Sequence, residues 1–322
     1  MNRIGLSLFA LALSISAVAT HAQTYPQRVV RFVVPGPPGG ATDILARTVG
    51  QKLTEAWGQP VIVDNRTGAS GIIGTEYAAR AAPDGYTLLM GHSGTHAINV
   101  SLRKTLPYHP VKDFAPITLV ATAPNILLVH PSLPAKSVKE LIALAKGRPR
   151  DLTYASAGVG FSQHLAGELF ATMAGIKMLH VPYKGSAPAL TDVIAGNVLL
   201  MFPNIPASLP HIQSGRLRAL GVTALERSSV VPQVPTIAES GLPGYEAIAW
   251  FGVFAPAGLA SDLVARLNAD IVRILTQPEV RERITRLGAD PVGNTPEQFG
   301  QYVQKEITKW AKVIKDSGAK LN

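Results

Sequence analysis

Val29-Val30-Arg31-Phe32-Val33-Val34-Pro35-Gly36-Pro37-Pro38-Gly39-Gly40-Ala41-Thr42-Asp43 runs from an apolar, β-branched stretch through a Gly/Pro turn into a polar helix start. The stretch reads as a buried strand, the turn as a reversal at its carboxyl end, and Thr42-Asp43 as the first turn of a helix. Leu152-Thr153-Tyr154-Ala155 repeats the arrangement, leading through Ser156-Ala157-Gly158-Val159-Gly160-Phe161 to Ser162-Gln163-His164. The start of a helix presents backbone N–H groups without intrahelical partners and the positive end of the helix dipole, so it suits an anion. Two such starts in different halves of one chain suggest a clamp for a small acid.

Outward from these turns, apolar strand runs alternate with helical periodicity, the pattern of an α/β chain with largely parallel sheets. In the first part, strands are expected at 29–34, 61–63, 87–90 and 117–122, with helices at 42–57 and 72–82. Ile44, Leu45, Val49 and Leu53 share one helical face, and Gly58 follows as a stop. A second series has strands at 126–130, 152–156, 179–182, 198–202 and 218–223, with helices at 138–146, 162–174, 187–195 and 207–214. Ser137 and Glu140 predict a capping box, and Gly147, Gly175, Gly196 and Gly215 read as helix stops. Residues 226–244, rich in Pro, Ser and Gly, read as a surface connection. One more strand at 249–256 and helices at 261–276, 279–287 and 296–317 complete the chain. The tail helices need a partner and the first sheet lacks covering elements. The chain is therefore expected to cross into a second lobe and return, with lobe 1 at 23–122 and 250–322 and lobe 2 at 123–249. Two crossings make a hinge.

Residues 1–22 have the pattern of a cleaved export signal: Arg3, an uncharged apolar stretch from Ile4 to Ala19, and Thr20-His21-Ala22 as the cleavage site. The apolar stretch is shorter than a spanning helix needs. The chain contains no cysteine, which excludes disulfides and a lipid anchor on a cysteine. A soluble, monomeric periplasmic protein is expected. The formal charge is +9, but the basic residues are scattered without a basic stripe, which argues against nucleic acid. A modest positive charge does suit an anionic small molecule.

Several residues are candidates for contact with that ligand. Gly36, Pro37, Gly39, Gly40 and Thr42 form the first turn, where Asp43 is expected to cap the helix or fix the loop, since an aspartate aimed at an anion would repel it. Gly68-Ala69-Ser70-Gly71 is a second glycine turn before a helix, with Ala69 and Ser70 as contacts. His92 and Ser93 follow the strand at 87–90 and are expected at the pocket rim. His92 and His96 have the spacing of metal ligands on a helix, but no third ligand accompanies them, so loop packing is expected. Ser156, Gly158, Gly160, Phe161 and Ser162 offer hydroxyl and amide groups from the other half. Ser162 and His164 are too close along a helix start to face each other as nucleophile and base, and no GxSxG elbow or phosphate-binding GxxxxGK[ST] occurs. The reading is of binding without catalysis and without a cofactor.

The ordered segments Pro35-Gly-Pro-Pro-Gly-Gly-Ala-Thr-Asp43, Val63-Asp-Asn-Arg-Thr-Gly-Ala-Ser-Gly71, Pro83-Asp-Gly-Tyr-Thr-Leu-Leu89, Tyr108-His-Pro-Val-Lys-Asp-Phe114, Val181-Pro-Tyr-Lys-Gly185, Val234-Pro-Thr-Ile-Ala-Glu239 and Phe254-Ala-Pro-Ala-Gly258 resemble those of the Bug proteins, periplasmic solute-binding subunits of tripartite tricarboxylate transporters. The resemblance covers nearly the whole chain after the leader. It implies a two-lobed type II periplasmic-binding-protein (Venus flytrap) fold. The ligand would be a dicarboxylate, tricarboxylate, aromatic acid or amino acid, and the partners would be transporter membrane subunits. Carried onto matching positions, the family pattern implies ligand contacts from 36–42, Ser70 and 156–162, with Asn204 as a further candidate. Gly36 stands where relatives carry an aromatic residue, and Leu199 and Pro203 stand where they often carry aspartates. A missing acidic group points to a ligand without an amine. An accessory to a membrane sensor kinase shares the same binding event, and an exported serine hydrolase is the rival from another class.

Overall fold

The computed structural model describes residues 25–147 and 151–318. The expected export signal lies outside the described residues. Strand β1 (Val30–Val34) lies between β2 (Val61–Asn65) and β3 (Thr87–His92) and runs parallel to both. Helix α1 (Ala41–Trp57) returns over the sheet, buries Leu45, Val49 and Leu53, and ends at Gly58, whose φ of 65° accepts a left-handed cap. A short turn at Ala69–Gly71 leads into α2 (Ile72–Ala79), which is shorter than its periodicity suggests. A π-helical turn at Gly94–Ile98 and the short α3 (Asn99–Leu102) follow β3, and neither is visible as a period in the sequence.

The long β4 (Phe114–Pro124) then carries the chain out of the first sheet. Beyond it come β5 (Ile126–Val129), α4 (Val138–Gly147), β6 (Thr153–Ser156), α5 (Ser162–Ala174), β7 (Leu179–Pro182), α6 (Ser186–Ile194), β8 (Leu200–Met201), α7 (Ile205–Gln213) and β9 (Arg218–Val222). Strand β10 (Ile248–Pro256) re-enters the first sheet, followed by α8 (Ser261–Leu275), α9 (Pro278–Arg286), β11 (Asp290–Pro291) and α10 (Pro296–Ser317). The first sheet has the order β11-β4-β10-β3-β1-β2 and the second β7-β6-β8-β5-β9.

Both sheets are mixed, which corrects the expectation of largely parallel ones. One crossing strand leaves the first sheet and the other enters it. Lying side by side from Ile248↔Pro124 to Pro256↔Phe114, β10 and β4 therefore run antiparallel. Strand β10 is also antiparallel to β3, so β1 to β4 all point the same way. In the second sheet β6, β7 and β8 are parallel and β5 opposes β8. The carboxyl ends of β1 to β4 thus lie on the side where β4 hands over to β5. The carboxyl ends of β6 and β8 lie on the side where β5 begins.

At Ser137 the capping is half of the expected box. The Glu140 amide donates to Ser137 Oγ at 3.2 Å, but the Glu140 carboxylate accepts from Lys136 N. The reciprocal box occurs at Thr295 and Gln298, starting α10. The N-terminal part of α10 seats Phe299 on β10. Further along, Trp310, Val313 and Ile314 join a buried cluster with Phe170 of α5 and Tyr245. Glu306 accepts from both buried indoles, Trp250 at 3.1 Å and Trp310 at 2.9 Å, and pairs with Lys309. Among the described residues no helix is long and apolar enough to cross a membrane.

Gly252 in β10 lies directly beneath the Phe299 ring, and a Cβ built there would come within 2.1 Å of Phe299 Cζ. Gly252→Ala is expected to destabilise the protein by about 1–3 kcal/mol through overpacking, read as a lower urea midpoint at unchanged slope.

Candidate ligand-binding cleft

The loops at the carboxyl ends of both sheets converge at the crossing, the place where open α/β sheets bind ligands. From the first sheet come residues 35–42 after β1, 66–70 after β2 and 92–95 after β3. From the second come 156–162 after β6, 182–186 after β7 and 202–204 after β8. None of these stretches contains an aspartate or glutamate, whereas Arg66 and Lys184 do belong to them.

Asp43 organises the first loop. Its carboxylate accepts from Gly39 N at 2.9 Å, from Arg47 Nε at 3.0 Å and from Asn65 Nδ2 at 3.0 Å, while Asn65 Nδ2 also donates to Gly36 O. Burial works to raise the Asp43 carboxyl, but the bonds from Arg47, Gly39 and Asn65 outweigh it and hold it below the usual carboxylate range. Of the two roles expected for it, Asp43 fixes the loop, and the N-cap of α1 is Gly40. Gly39 spends its amide on it, and Pro37 and Gly36 complete the turn. Ile44 N is the first helical donor to find an acceptor, at Gly40 O, so the amides of Ala41, Thr42 and Asp43 stay open at the start of α1. The Thr42 hydroxyl makes no hydrogen bond among the described residues.

The loop after β2 holds the left-handed region at Gly68, Ala69, Ser70 and Gly71, with φ of 122°, 48°, 58° and 88°. Ala69 and Ser70 pay a steric cost there that glycine would not. The Ser70 hydroxyl donates across the cleft to Val159 O at 3.1 Å. Expected as a ligand donor, it joins the two lobes in this conformation. Asn99 Nδ2 donates to Ser70 O, and a Cβ built on Gly160 would lie 3.1 Å from Asn99 Oδ1. His92 accepts from Gly94 N at Nδ1 and stacks on Phe161 of the second lobe, ring centroids 6.4 Å apart. His92, one of the two residues expected at the rim, thus meets the second lobe through its ring. Ser93 is 2 % exposed, and its hydroxyl has no partner among the described residues. His96 lies elsewhere, stacked at 3.9 Å on Phe254 in the core.

On the second lobe much of the expected donor set is consumed internally. Gly158 N donates to Ser156 Oγ at 3.1 Å and Gly160 N to His164 Nδ1 at 3.3 Å. Ala157 N donates to Gln163 Oε1 at 2.8 Å, and Ser156 Oγ lies 2.6 Å from His180 Nε2. Ser156, Gly158 and Gly160 therefore shape the loop, and the Ser162 and Gln163 amides remain open at the start of α5, along with the Ser162 hydroxyl. Asn204 donates to Asn125 Oδ1 at 2.9 Å. Pro203 lies at the cleft end of β8, but Leu199 precedes that strand at its far end, so an aspartate at 199 would not face the cleft.

Asn125, Gln163, His164 and His180 were not among the expected residues. The signal for two of them was present, since His164 follows Gly160 by one helical turn and Gln163 is a side-chain acceptor in the first turn of α5. The rings of His164 and His180 stack at 4.1 Å. Burial pushes His164 down to about 3, with His180 adding to it, and burial alone pushes His180 and His92 down to about 4. All three are neutral at pH 7.

A two-lobed α/β fold with its polar loops gathered at a double crossing is that of a periplasmic solute-binding protein. Residues 45–319 match the family described as the tripartite tricarboxylate transporter family receptor, and the chain belongs to that family. It is 41 % identical over 317 residues to protein BugT of Bordetella pertussis, covering 98 % of this chain and 97 % of BugT. It superposes on R. palustris Rpa4515 with adipate at a TM-score of 0.84 and 42 % identity, over 91 % of this chain and 98 % of that one. MatC of Rhodopseudomonas palustris with bound malate gives a TM-score of 0.81 and 38 % identity, over 90 % of this chain and 100 % of that one. The family consists of binding proteins, not enzymes; it serves a transporter and works in the periplasm.

Buried neutral histidines make stability depend on pH. Unfolded imidazoles take up protons as pH falls through the ordinary value of 6.5, whereas His92, His164 and His180 resist until about 3 to 4. The unfolded chain then binds more protons, so stability is greatest above pH 6.5 and is lost on acidification toward pH 4. Urea midpoints at pH 7 and pH 5 are expected to differ in that sense. His180→Asn should flatten the dependence by up to about 1.4 kcal/mol per pH unit, and an unchanged slope would contradict the assignment.

Proposed function

We propose that the chain is exported with cleavage after Ala22, stays soluble and monomeric without a lipid anchor, and closes its lobes on a small carboxylate for delivery to the membrane subunits of a tripartite transporter. On this reading 23–122 and 250–322 form the first lobe and 123–249 the second. The observation that carries it is the pair of helix starts, α1 and α5, each presenting open amides from the carboxyl end of a different sheet.

The chemistry is that of an oxyanion. The surrounding loops carry no carboxylate to repel it, and Arg66 and Lys184 add positive potential. Thr42, Ser93 and Ser162 supply hydroxyls that are not committed elsewhere. Each hydrogen bond to a charged ligand contributes roughly 1.5–3 kcal/mol and each helix start about 0.3–1 kcal/mol. Several such contacts, less the cost of immobilising the ligand, support binding near 1 μM, about −8 kcal/mol. A ligand touching both lobes favours the closed form, which is the shape membrane subunits would read. Pro203 at the cleft end of β8 leaves no acid there to meet an amine, so an acid without an α-amino group fits better than an amino acid.

A thermal-shift screen of protein lacking residues 1–22 against adipate, malate, citrate, benzoate and aspartate tests the proposal. One class of acid is expected to raise the melting temperature by mass action without being converted. Absence of any shift, with no acid released on denaturation, would overturn it. Thr42→Val and Ser162→Ala should each weaken the responding acid by about tenfold. Pro203→Asp should bring aspartate binding up relative to malate, and no change in that ratio would count against the reading of position 203.

A further inference from the structure

A cavity of about 620 Å³ opens on the first lobe outside the cleft, between the segment 100–113 and α10. Its walls are of two kinds. Val100, Leu106, Pro110 and Ile307 give it an apolar side. Arg103, Lys104 and His109 give it a basic one.

The basic residues of the wall are not ion-paired, although one acid, Asp113, stands among them. Neither Arg103 nor Lys104 forms an ion pair among the described residues. Arg103 Nε is buried with no hydrogen-bond partner, so what Arg103 offers the cavity is the outer part of its guanidinium. His109 Nδ1 accepts from the amides of Val111 and Lys112 at 3.2 and 3.1 Å, which puts the ring proton of the neutral imidazole on Nε2 as a donor. The single acid in the wall, Asp113, is engaged by His109 N at 2.6 Å. The cavity therefore offers a guanidinium, an ammonium and an imidazole N–H beside a hydrocarbon surface.

We propose that this cavity is a second binding site, separate from the cleft, for the carboxylate of a small acid with a short hydrocarbon body. Arg103 holds the carboxylate with help from Lys104 and His109, and Val100, Leu106 and Ile307 cover the chain. The site also touches the cleft machinery. Arg103 Nη2 donates to Ala69 O at 3.5 Å, and Ala69 precedes Ser70, whose hydroxyl bridges the lobes. An occupant drawing on Arg103 competes for the bond that steadies this strained loop.

The test uses ¹⁵N-labelled protein lacking residues 1–22, titrated with hexanoate and, separately, with inorganic phosphate. The signal is the Arg103 Nε–H resonance, identified by its loss in Arg103→Lys. Hexanoate is expected to shift it saturably, and the exposed Lys104→Gln should weaken that binding by about 3- to 10-fold. The cleft variants Thr42→Val and Ser162→Ala should leave it unchanged. No saturable shift overturns the site. Phosphate binding as tightly as hexanoate overturns the hydrocarbon part, because charge alone would then suffice. Loss of the shift in the cleft variants would assign the response to the cleft and overturn a separate site.

Discussion

Thr223 ties the two crossings together. Its hydroxyl accepts from Asn125 N at 2.8 Å, its amide donates to Asn125 O at 2.9 Å, and its carbonyl accepts from Ala247 N at 3.0 Å. Asn125 sits between β4 and β5, and Ala247 immediately precedes β10, so one residue joins the outgoing chain to the returning one. Among the described residues the chain passes between the sheets only at these two places, and the convergence of the cleft loops depends on their staying adjacent. Asn204 adds a side-chain bond to Asn125, which links the loop after β8 to the same point. Helix α10 restrains the joint from behind, seated on β10 by Phe299 and on the second lobe through Trp310.

Much of this was legible from the residues. The runs around β1 and β6, the helices that follow them and the glycine stops are local features, and local features survive tertiary context. Helix 162–174 and helix 296–317 have the expected bounds, because an N-terminal polar residue or proline and a C-terminal glycine fix both ends. Strand direction was not legible: periodicity says that 249–256 is a strand, but not that it inserts between β3 and β4 against both. The π-helical turn at Gly94–Ile98 was hidden for a related reason. Its residues are buried all round, with Thr95 Oγ1 bonded to His92 and to His96, so no amphipathic period could announce it.

At the cleft, the distinction between a loop's shape and its offered groups escaped sequence reasoning. A glycine-rich turn displays many amides, but a turn that used none of them internally would be floppy and would lose entropy on binding. Here His164, Gln163 and Ser156 each take up one amide of the 157–160 segment and set its shape in advance. Neutral histidine suits this work, since Nδ1 can accept only while it lacks a proton. The burial that depresses His164 and His180 keeps them in that form, so the stack at the base of α5 and the geometry of the loop share one cause.

The closed arrangement also carries a cost that an acid can offset. Asn99 Oδ1 and Asn125 Nδ2 are buried without hydrogen-bond partners, the first against Gly160 of the opposite lobe and the second at the crossing. Each such group costs about 1–3 kcal/mol relative to a hydrated one. Against this stands the Ser70 bond to Val159, a neutral hydrogen bond contributing about 0.5–1.5 kcal/mol. The gain from that bridge is smaller than the cost of the two orphaned groups together, so these contacts alone do not favour closure. A ligand that satisfies the open amides of both helices contributes more than the difference. Differential contact of this kind is what makes a two-lobed protein close on its ligand and not before it.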